Sequence, residues 1–458
     1  MVFEVMGRRI VYPFEVEWME GGSVDHVRRI LEGKRLYVEP TLDFVPYTYT
    51  PLYFYAAALV AKVTGVGFLP LRLLSAAATA ASLALLFVLA RRETGSRGCG
   101  LAAAGLYAAT YRLGGAWFDV CRVDSFALAV ALAGVCLCRA RTSVASACAA
   151  GALFAAAYLS KQSALAIGAA AAAGTLFLDW RRGLAALSTL GALAAGGTVL
   201  LDRVHDGWFR FYAFRVPALH SLLHERIGGY FAVDWAKNAP LLVVLALSGL
   251  LALAVRAPRV FGFYACFAAG TVGTVWAVWV RAGSYDNILM PGHACAALLA
   301  GIGVGRAVPM SRRCPHPVLA LAVLMQLAAL RWEPRDQVPT RHDAELGRAL
   351  VELVRQVPGD VWVVSHGAIG PMAGKPLHAQ WQAMADTFLD PKVGGELREK
   401  MMEAVRARRF AAIVTDSHGR FDELEVAYAR TGPPFDEQGF WPKTGWYVRP
   451  DQIWRAKE

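Results

Sequence analysis

Apolar runs of similar length, separated by short charged turns, dominate the sequence from residue 70 to residue 331. A helix needs roughly 20 apolar residues to cross about 30 Å of hydrocarbon, and these runs approach that length. Many are rich in Ala and Gly, which lets helix backbones approach closely in lipid. The pattern predicts a tightly packed bundle of about ten transmembrane helices. The predicted spans are 70–90, 98–117, 122–138, 144–160, 163–178, 183–201, 239–255, 260–280, 286–305 and 315–331.

The segment 1–69 has a different pattern. It includes the acidic, aromatic loop YPFEVEWMEGG at 12–22 and the apolar stretch PLYFYAAALVAKVTGVG at 51–67. A crossing at 51–67 would reverse the direction of every later turn, so we expect interfacial helices there, with aromatic rings at headgroup level. No apolar segment precedes the acidic loop, which indicates a truncated start or a lost first helix.

After Arg331 the apolar runs give way to mixed, polar sequence. The amphipathic stretch DAELGRALVELVRQV precedes the strand-like DVWVVSHG, and LREKMMEAVRARR precedes FAAIVTD. A helix followed by a short buried strand, twice, predicts a small α/β domain over 332–458. No phosphate-binding glycine fingerprint accompanies it, so no cofactor is assigned to this domain.

Composition agrees with a membrane protein, since 56% of the 458 residues are hydrophobic and 18% are charged. The 8 cysteines match no zinc or redox spacing, so we predict neither a metal site built on cysteine nor a disulfide framework. The net charge of +11 comes from basic residues that flank apolar spans. This placement favours topology and contact with the lipid bilayer over nucleic acid.

Lys and Arg recur in every second turn of the predicted bundle, and basic short loops mark the cytoplasmic side. We therefore predict a multi-pass protein of the cell (inner) membrane, whose N-terminal loop and domain 332–458 are extracytoplasmic. The basic turns are 91–97, 139–141, 179–183, 256–259 and 306–313, and the alternate turns are 118–124, 160–162, 202–238 and 281–287.

Charged side chains gather beside the alternate turns, on the same predicted side as the acidic loop. They are Asp119, Arg122, Asp124, Lys161, Arg281 and Asp286. Ionisable groups at membrane depth are costly and are usually paired or functional. A set of salt bridges that cap helix ends is one interpretation, and a binding site is the other.

Five motifs of the chain occur in order: GGSVDHVRRILEGKRLY, YTYTPLYFYAA, CRVDSFALAV, AYLSKQSALAI and YDNILMP. They resemble motifs of the GT-C superfamily of membrane glycosyltransferases, in the branch of protein O-mannosyltransferases, aminoarabinose transferases and rhizobial lipopolysaccharide transferases. The first two are similar to the first extracytoplasmic loop of that branch, and the other three to later motifs. The resemblance covers about residues 12 to 300. It implies a GT-C-like bundle that moves a sugar from a polyprenyl-phosphate donor to the hydroxyl of a glycan, lipid or protein acceptor, with inversion at the anomeric carbon.

The resemblance also implies roles for individual residues. Glu20 matches the family's acidic position and is expected to act as general base, with Glu17 as a substitute for the Asp that Met19 replaces. Val123 replaces a family Pro, and Asn287 stands near the place of a family Arg. Whether a divalent cation assists the glutamates stays open. The expected substrate-binding residues are Tyr49, Tyr53, Asp119, Arg122, Asp124, Lys161, Arg281 and Tyr285.

Other interpretations use the same residues. Glutamates before a helix at 23–32 could serve only to stabilise its N-terminus. A transporter or flippase of lipid-linked saccharide would also need a polar path among helices, but it favours broken helices, midplane charges and internal repeats, which the sequence does not show. A membrane scaffold would explain the C-terminal domain and leave the acidic loop without a role.

Overall fold

The computed structural model describes residues 1–306, 317–416, 422–435 and 437–457, and most of them are helical. The helices are α1 Val2–Ile10, α2 Glu20–Leu31, α3 Leu52–Thr64, α4 Phe68–Thr94, α5 Arg97–Ala109, α6 Asp124–Ala140, α7 Val144–Ser160, α8 Ala164–Thr175, α9 Trp180–Val204, α10 Trp208–Arg210, α11 Val216–Ala218, α12 Glu225–Gly229, α13 Pro240–Arg256, α14 Pro258–Trp279, α15 Met290–Arg306, α16 Pro317–Ala329, α17 Arg341–Gln356, α18 Ile369–Met372, α19 Trp381–Thr387 and α20 Val393–Arg406. Stretches of π-helix cover Phe211–Arg215 and Tyr230–Lys237, and 3₁₀ turns cover Asp286–Leu289, Pro334–Gln337 and Asp422–Val426.

The bundle is that of a multi-span membrane protein. Within the described ranges, four helices are long and apolar enough to cross a membrane, namely α4, α9, α14 and the continuous helix Asp286–Gly305. A fifth crossing arises if Glu225–Lys237 and Pro240–Arg256, bent by 93°, form one span. A helix overlaps each of the ten predicted spans, but some helices are short. For example, α5 ends at Ala109, before a turn that contains Gly114 and Gly115. The basic turn predicted at 306–313 lies mostly outside the described residues.

Small residues bring the bundle helices into close contact, as their abundance in the sequence predicts. A Cβ atom at Gly249 in α13 would lie 2.1 Å from the carbonyl oxygen of Leu299 in α15. In the same pair of helices, a Cβ atom at Gly303 would lie 2.5 Å from the carbonyl oxygen of Leu245. Neither position could hold a larger side chain unless the two backbones separated.

The C-terminal segment contains a four-stranded mixed sheet in the order β1-β2-β4-β3. β1 Val361–Val363 and β2 Ala412–Asp416 are parallel, and β4 Pro450–Ala456 pairs antiparallel with both β2 and β3 Tyr428–Gly432. The two predicted helix–strand units are confirmed as α17 with β1 and α20 with β2. β3 and β4 escape prediction because their alternating polar residues carry no buried apolar run.

The acidic loop packs against this C-terminal segment rather than standing apart from it. Trp18 and Val24 share a buried core with Trp362 and Val364, and Phe14 packs edge-on against Phe440 at 5.5 Å between ring centroids. The predicted domain boundaries at 69 and 331 remain predictions. The observed core nevertheless shows that the two ends of the sequence meet over one side of the bundle.

Candidate active site

The alternate turns of the bundle converge on one cavity. It has a volume of about 380 Å³ and lies where α6, α7 and α14 meet the acidic loop and the C-terminal segment. Three cations line it: Arg122 before α6, Lys161 after α7 and Arg281 after α14. Trp18, Tyr49, Trp117, Tyr285, Gln382, Asp386 and Trp446 are among the other lining residues.

Three of the basic turns, 91–97, 139–141 and 179–183, meet at the other end of the helices. Arg139 donates two hydrogen bonds to Glu93, at 2.7 and 3.1 Å. Arg182 donates to the carbonyl oxygens of Cys138 and Arg141. These basic turns therefore contact each other and not the cavity, whereas the alternate turns line the cavity. The sequence pattern predicts this separation of the two sets. Which set faces the cytoplasm remains a prediction.

Glu20 is completely enclosed and its oxygens are fully engaged. Arg72, a cation inside α4, forms a bidentate pair with it at 3.0 and 2.6 Å. The backbone N–H groups of Val16 and Cys121 donate to the same carboxylate at 2.7 and 2.8 Å. Burial alone would raise the pKa of Glu20, but Arg72 and these donors outweigh it and lower the pKa below its ordinary value. A carboxylate held in this way is a poor proton acceptor.

Glu17 is equally buried but has a different environment. Neither of its oxygens accepts a hydrogen bond of normal geometry from the described residues, and the nearest cation, Arg122, lies 3.8 Å away. Burial raises the pKa of Glu17 to about 8, although Arg122 opposes the shift. Such a buried, unpartnered carboxylate can take up a proton near neutral pH.

Aromatic rings hold Arg122 between Glu17 and the cavity. Its guanidinium carbon lies 5.1 Å from the ring centroid of Tyr49 and 5.4 Å from that of Trp117, and one nitrogen donates to the Tyr49 hydroxyl. Two other nitrogens, Nε and Nη1, make no hydrogen bond with described residues. The planar cation is thus oriented by stacking, with donors left over for a ligand.

Asp124 fixes the second cation at the floor of the cavity. Its Oδ1 accepts from Lys161 Nζ and, at 2.9 Å, from Asn287 Nδ2, while its Oδ2 accepts from Trp117 Nε1 at 3.0 Å. All three donors line the cavity, whereas Asp124 lies behind them. Asp124 therefore positions Lys161 and Asn287.

The structure separates the remaining predicted residues. Tyr49, Arg281 and Tyr285 line the cavity, and Arg281 donates to the carbonyl oxygens of Ala218 and His220. Asp119 does not line it: it is buried against Arg9 at 2.9 Å. Tyr53 is also remote, since its hydroxyl contacts the Leu71 carbonyl oxygen and Ser75.

Part of the chain is similar to a known protein family. Residues 48–201 match the sequence model of the family "Dolichyl-phosphate-mannose-protein mannosyltransferase". This stretch carries Tyr49, Arg122 and Lys161, which line the cavity, and Asp124, which holds Lys161 from behind. The protein is a glycosyltransferase that resembles the GT-C superfamily over residues 48–201.

Solved structures of similar fold extend the likeness to nearly the whole glycosyltransferase. ArnT from Cupriavidus metallidurans bound to undecaprenyl phosphate aligns with a TM-score of 0.63 at 12% identity, over 99% of this chain and 96% of that one. The oligosaccharyltransferase of Archaeoglobus fulgidus, tethered to an acceptor peptide, aligns with a TM-score of 0.52 at 13% identity, over 96% and 70%. At these identities the likeness concerns the fold. Among curated proteins, no sequence matches the chain.

Several residues of the glycosyltransferase site were missed from sequence, and three of them carried a signal. Arg72 is an ionisable residue inside an apolar span, which is itself an indication of a buried partner. His366 and Asp416 follow or end two parallel strands, whose carboxyl ends share one edge of a sheet. Asp386 and Trp446 lie in polar sequence without periodicity, and nothing in the sequence relates them to a cavity between distant turns.

No group of three or more His, Cys, Asp or Glu side chains in the described ranges is arranged to hold a metal ion. The carboxylates of the glycosyltransferase site are instead distributed singly. Glu20 faces Arg72, Glu17 faces Arg122, and Asp124 faces Lys161. Each cation of the cavity floor thus has one carboxylate behind it.

Proposed function

We propose that this glycosyltransferase moves a sugar from a polyprenyl-phosphate donor to an acceptor hydroxyl, with inversion at the anomeric carbon. The family matched by residues 48–201 and the ArnT structure with undecaprenyl phosphate support this class of donor. The observation that carries the proposal is the pairing of an unpartnered, buried carboxylate, Glu17, with a cationic cavity only one guanidinium away.

The cations account for the leaving group. When the glycosidic bond to the lipid phosphate breaks, its electron pair stays on phosphate oxygen, which gains negative charge. Arg122, Lys161 and Arg281 all line the cavity, and two nitrogens of Arg122 make no hydrogen bond with described residues. Such fixed charges stabilise the developing anion more than they stabilise the intact donor.

The carboxylate accounts for the nucleophile. An acceptor hydroxyl attacks the anomeric carbon from the face opposite the phosphate, which inverts that centre, and its proton passes to Glu17. From the sequence, Glu20 was expected to take this role, with Glu17 in place of the family Asp that Met19 replaces. The contacts support the reverse order, because Arg72 and two backbone donors occupy Glu20.

Access to Glu17 involves the segment Lys443–Trp446. Lys443 and Thr444 donate backbone hydrogen bonds to Val16, and Gly445, with a φ of 81°, lies against Glu17 where a Cβ atom would be 3.1 Å from its Oε1. Glu17 is buried with this segment in place. An acceptor therefore reaches Glu17 when Lys443–Trp446 moves aside, and Trp18 and Trp446, stacked at 6.2 Å, are placed to pack against a sugar ring.

The experiment for the reaction is mass spectrometry of lipid-linked sugars and surface glycans from cells with and without the gene. Without it, polyprenyl-phosphate sugar should accumulate and one glycan residue should be missing. Donor that accumulates while all glycans keep their residues would instead indicate a carrier of lipid-linked saccharide.

We also propose that the bundle has about ten spans and that the site faces away from the cytoplasm. The convergence of the alternate turns at the cavity supports a common side for them. Cysteine labelling from outside should modify positions 220–230 and 400–416 and spare 93–97 and 139–143. Labelling of 400–416 only after permeabilisation would reject an outward-facing site.

A further inference from the structure

A buried histidine joins the acidic loop to the C-terminal sheet. His366 follows β1 and Asp416 ends β2, so both lie at the edge where these parallel strands end. His366 Nδ1 contacts Glu15 Oε2, and His366 Nε2 lies 2.9 Å from Asp416 Oδ1. All three side chains are almost completely excluded from solvent.

The charges of this bridge depend on one another. Burial alone would lower the pKa of His366, but Glu15 and Asp416 raise it to about 10. The imidazole is therefore a cation throughout the neutral range, and it loses its charge only as the pH rises through about 10. Burial raises the pKa of Glu15, against the opposing effect of His366. Phe440 packs beside the imidazole in a tilted arrangement, with ring centroids 5.9 Å apart.

The bridge formed by Glu15, His366 and Asp416 is close to Glu17, because only Val16 separates Glu15 from Glu17 along the chain. Between Glu15 and Glu17, the Val16 N–H donates to Glu20 and the Val16 carbonyl oxygen accepts from Lys443. Glu15 is thus the anchor on one side of a short extended segment, and Glu17 is the first residue after it. A segment this short transmits a displacement of Glu15 directly to the carboxylate of Glu17.

We propose that His366 is a positioning residue of the transferase: its imidazolium, held between Asp416 and Glu15, fixes the acidic loop so that Glu17 faces Arg122. The inference rests on the proposed role of Glu17. The C-terminal sheet then contributes to the reaction indirectly, since none of its residues touches the reacting atoms.

The chain contains a matched control. His378 is also buried between two carboxylates, Asp360 at 2.8 Å and Asp43 at 3.3 Å, and it too joins the N-terminal segment to the C-terminal one. Neither carboxylate lies in the acidic loop, and the side chain of Asp43 is 59% exposed. His378→Gln therefore removes a similar bridge without touching the anchor of Glu17.

The test compares His366→Gln with His378→Gln in the full-length protein. In His366→Gln, kcat should fall about 10- to 100-fold, the range expected when a reacting group is displaced by up to about 1 Å, while the donor KM changes less than about twofold. Hydrogen exchange of the amides of residues 15–19 should accelerate. His378→Gln should alter neither quantity.

A second variant keeps the test decisive if His366→Gln fails to fold. Glu15→Gln breaks the bridge from the loop side and leaves His366 beside Asp416, and the double variant should lose no more kcat than the more affected single one. Unchanged exchange of residues 15–19 in both single variants would overturn the inference, as would faster exchange with unchanged kcat. A wild type that transfers no sugar would instead overturn the proposed function, while the exchange result would stand.

Discussion

Glu20 and Glu17 lie three residues apart in one loop, and each is buried beside an arginine, yet the two pairs differ in kind. Arg72 and Glu20 meet in a bidentate pair to which backbone N–H groups add further hydrogen bonds. Arg122 and Glu17 stand 3.8 Å apart with donors and acceptors unused. A satisfied pair of this kind specifies a local structure, whereas an unsatisfied one retains the capacity to bind and react.

The largest effect should come from Glu17→Gln. The change keeps the volume and removes the basicity, so turnover should fall by about 10²- to 10⁴-fold, as is typical for a lost general base. Donor binding should barely change. Transfer assays with purified protein and a polyprenyl-phosphate sugar measure both quantities.

Glu20→Gln is the matched comparison. Any loss of turnover in this variant should be explained by an equal loss of folded protein. The assignment to Glu17 would be wrong if Glu17→Gln kept wild-type turnover, or if folded Glu20→Gln were inactive on its own.

The next effect concerns stability. Arg72→Ala leaves the Glu20 carboxylate buried without its cation, and breaking such a pair costs about 3–5 kcal/mol. Thermal unfolding in detergent should show a clear loss for Arg72→Ala and a much smaller one for Arg122→Ala, whose carboxylate partner already lacks hydrogen bonds. Equal losses in the two variants would remove the distinction between the pairs.

Donor binding should show a smaller change in Arg122→Ala. Loss of a charged hydrogen-bond donor to phosphate corresponds to about 1.5–3 kcal/mol, or roughly 10- to 150-fold in the donor KM. Arg122→Lys keeps the charge and should recover part of the loss. The recovery should be incomplete, because lysine cannot reproduce the stacking on Tyr49 and Trp117. An unchanged donor KM in Arg122→Ala would leave Arg122 with a purely structural role.

The smallest effect is a shift along the pH axis. Glu17 must be unprotonated to accept a proton, and its pKa is raised to about 8, so kcat/KM should rise with pH up to about 8 and then level off. Arg122 lowers this pKa, so in Arg122→Gln the rise should move to higher pH. A wild-type profile that is flat between pH 6 and 9 would argue against Glu17 as the base.

The fold was more predictable than the site, for physical reasons. Apolar length and small residues determine where bundle helices form, and helical periodicity identified α17 and α20 with their strands. Arg122 and Lys161 could be placed at the cavity because charges at helix ends are visible in the sequence. The exchanged roles of Glu17 and Glu20 could not be predicted, because they depend on Arg72. Arg72 lies 52 positions from Glu20 in the sequence, and packing sets the direction in which its side chain leaves the axis of α4.

The contact of Lys443 and Thr444 with Val16 also has a consequence for biosynthesis. More than 400 residues separate the two strands of this contact, so the acidic loop remains uncovered while the intervening chain is synthesised and inserted. The covering segment is synthesised after the described bundle helices α4 to α16. A nascent chain released before residue 443 would therefore carry the acidic loop without the segment that closes over it.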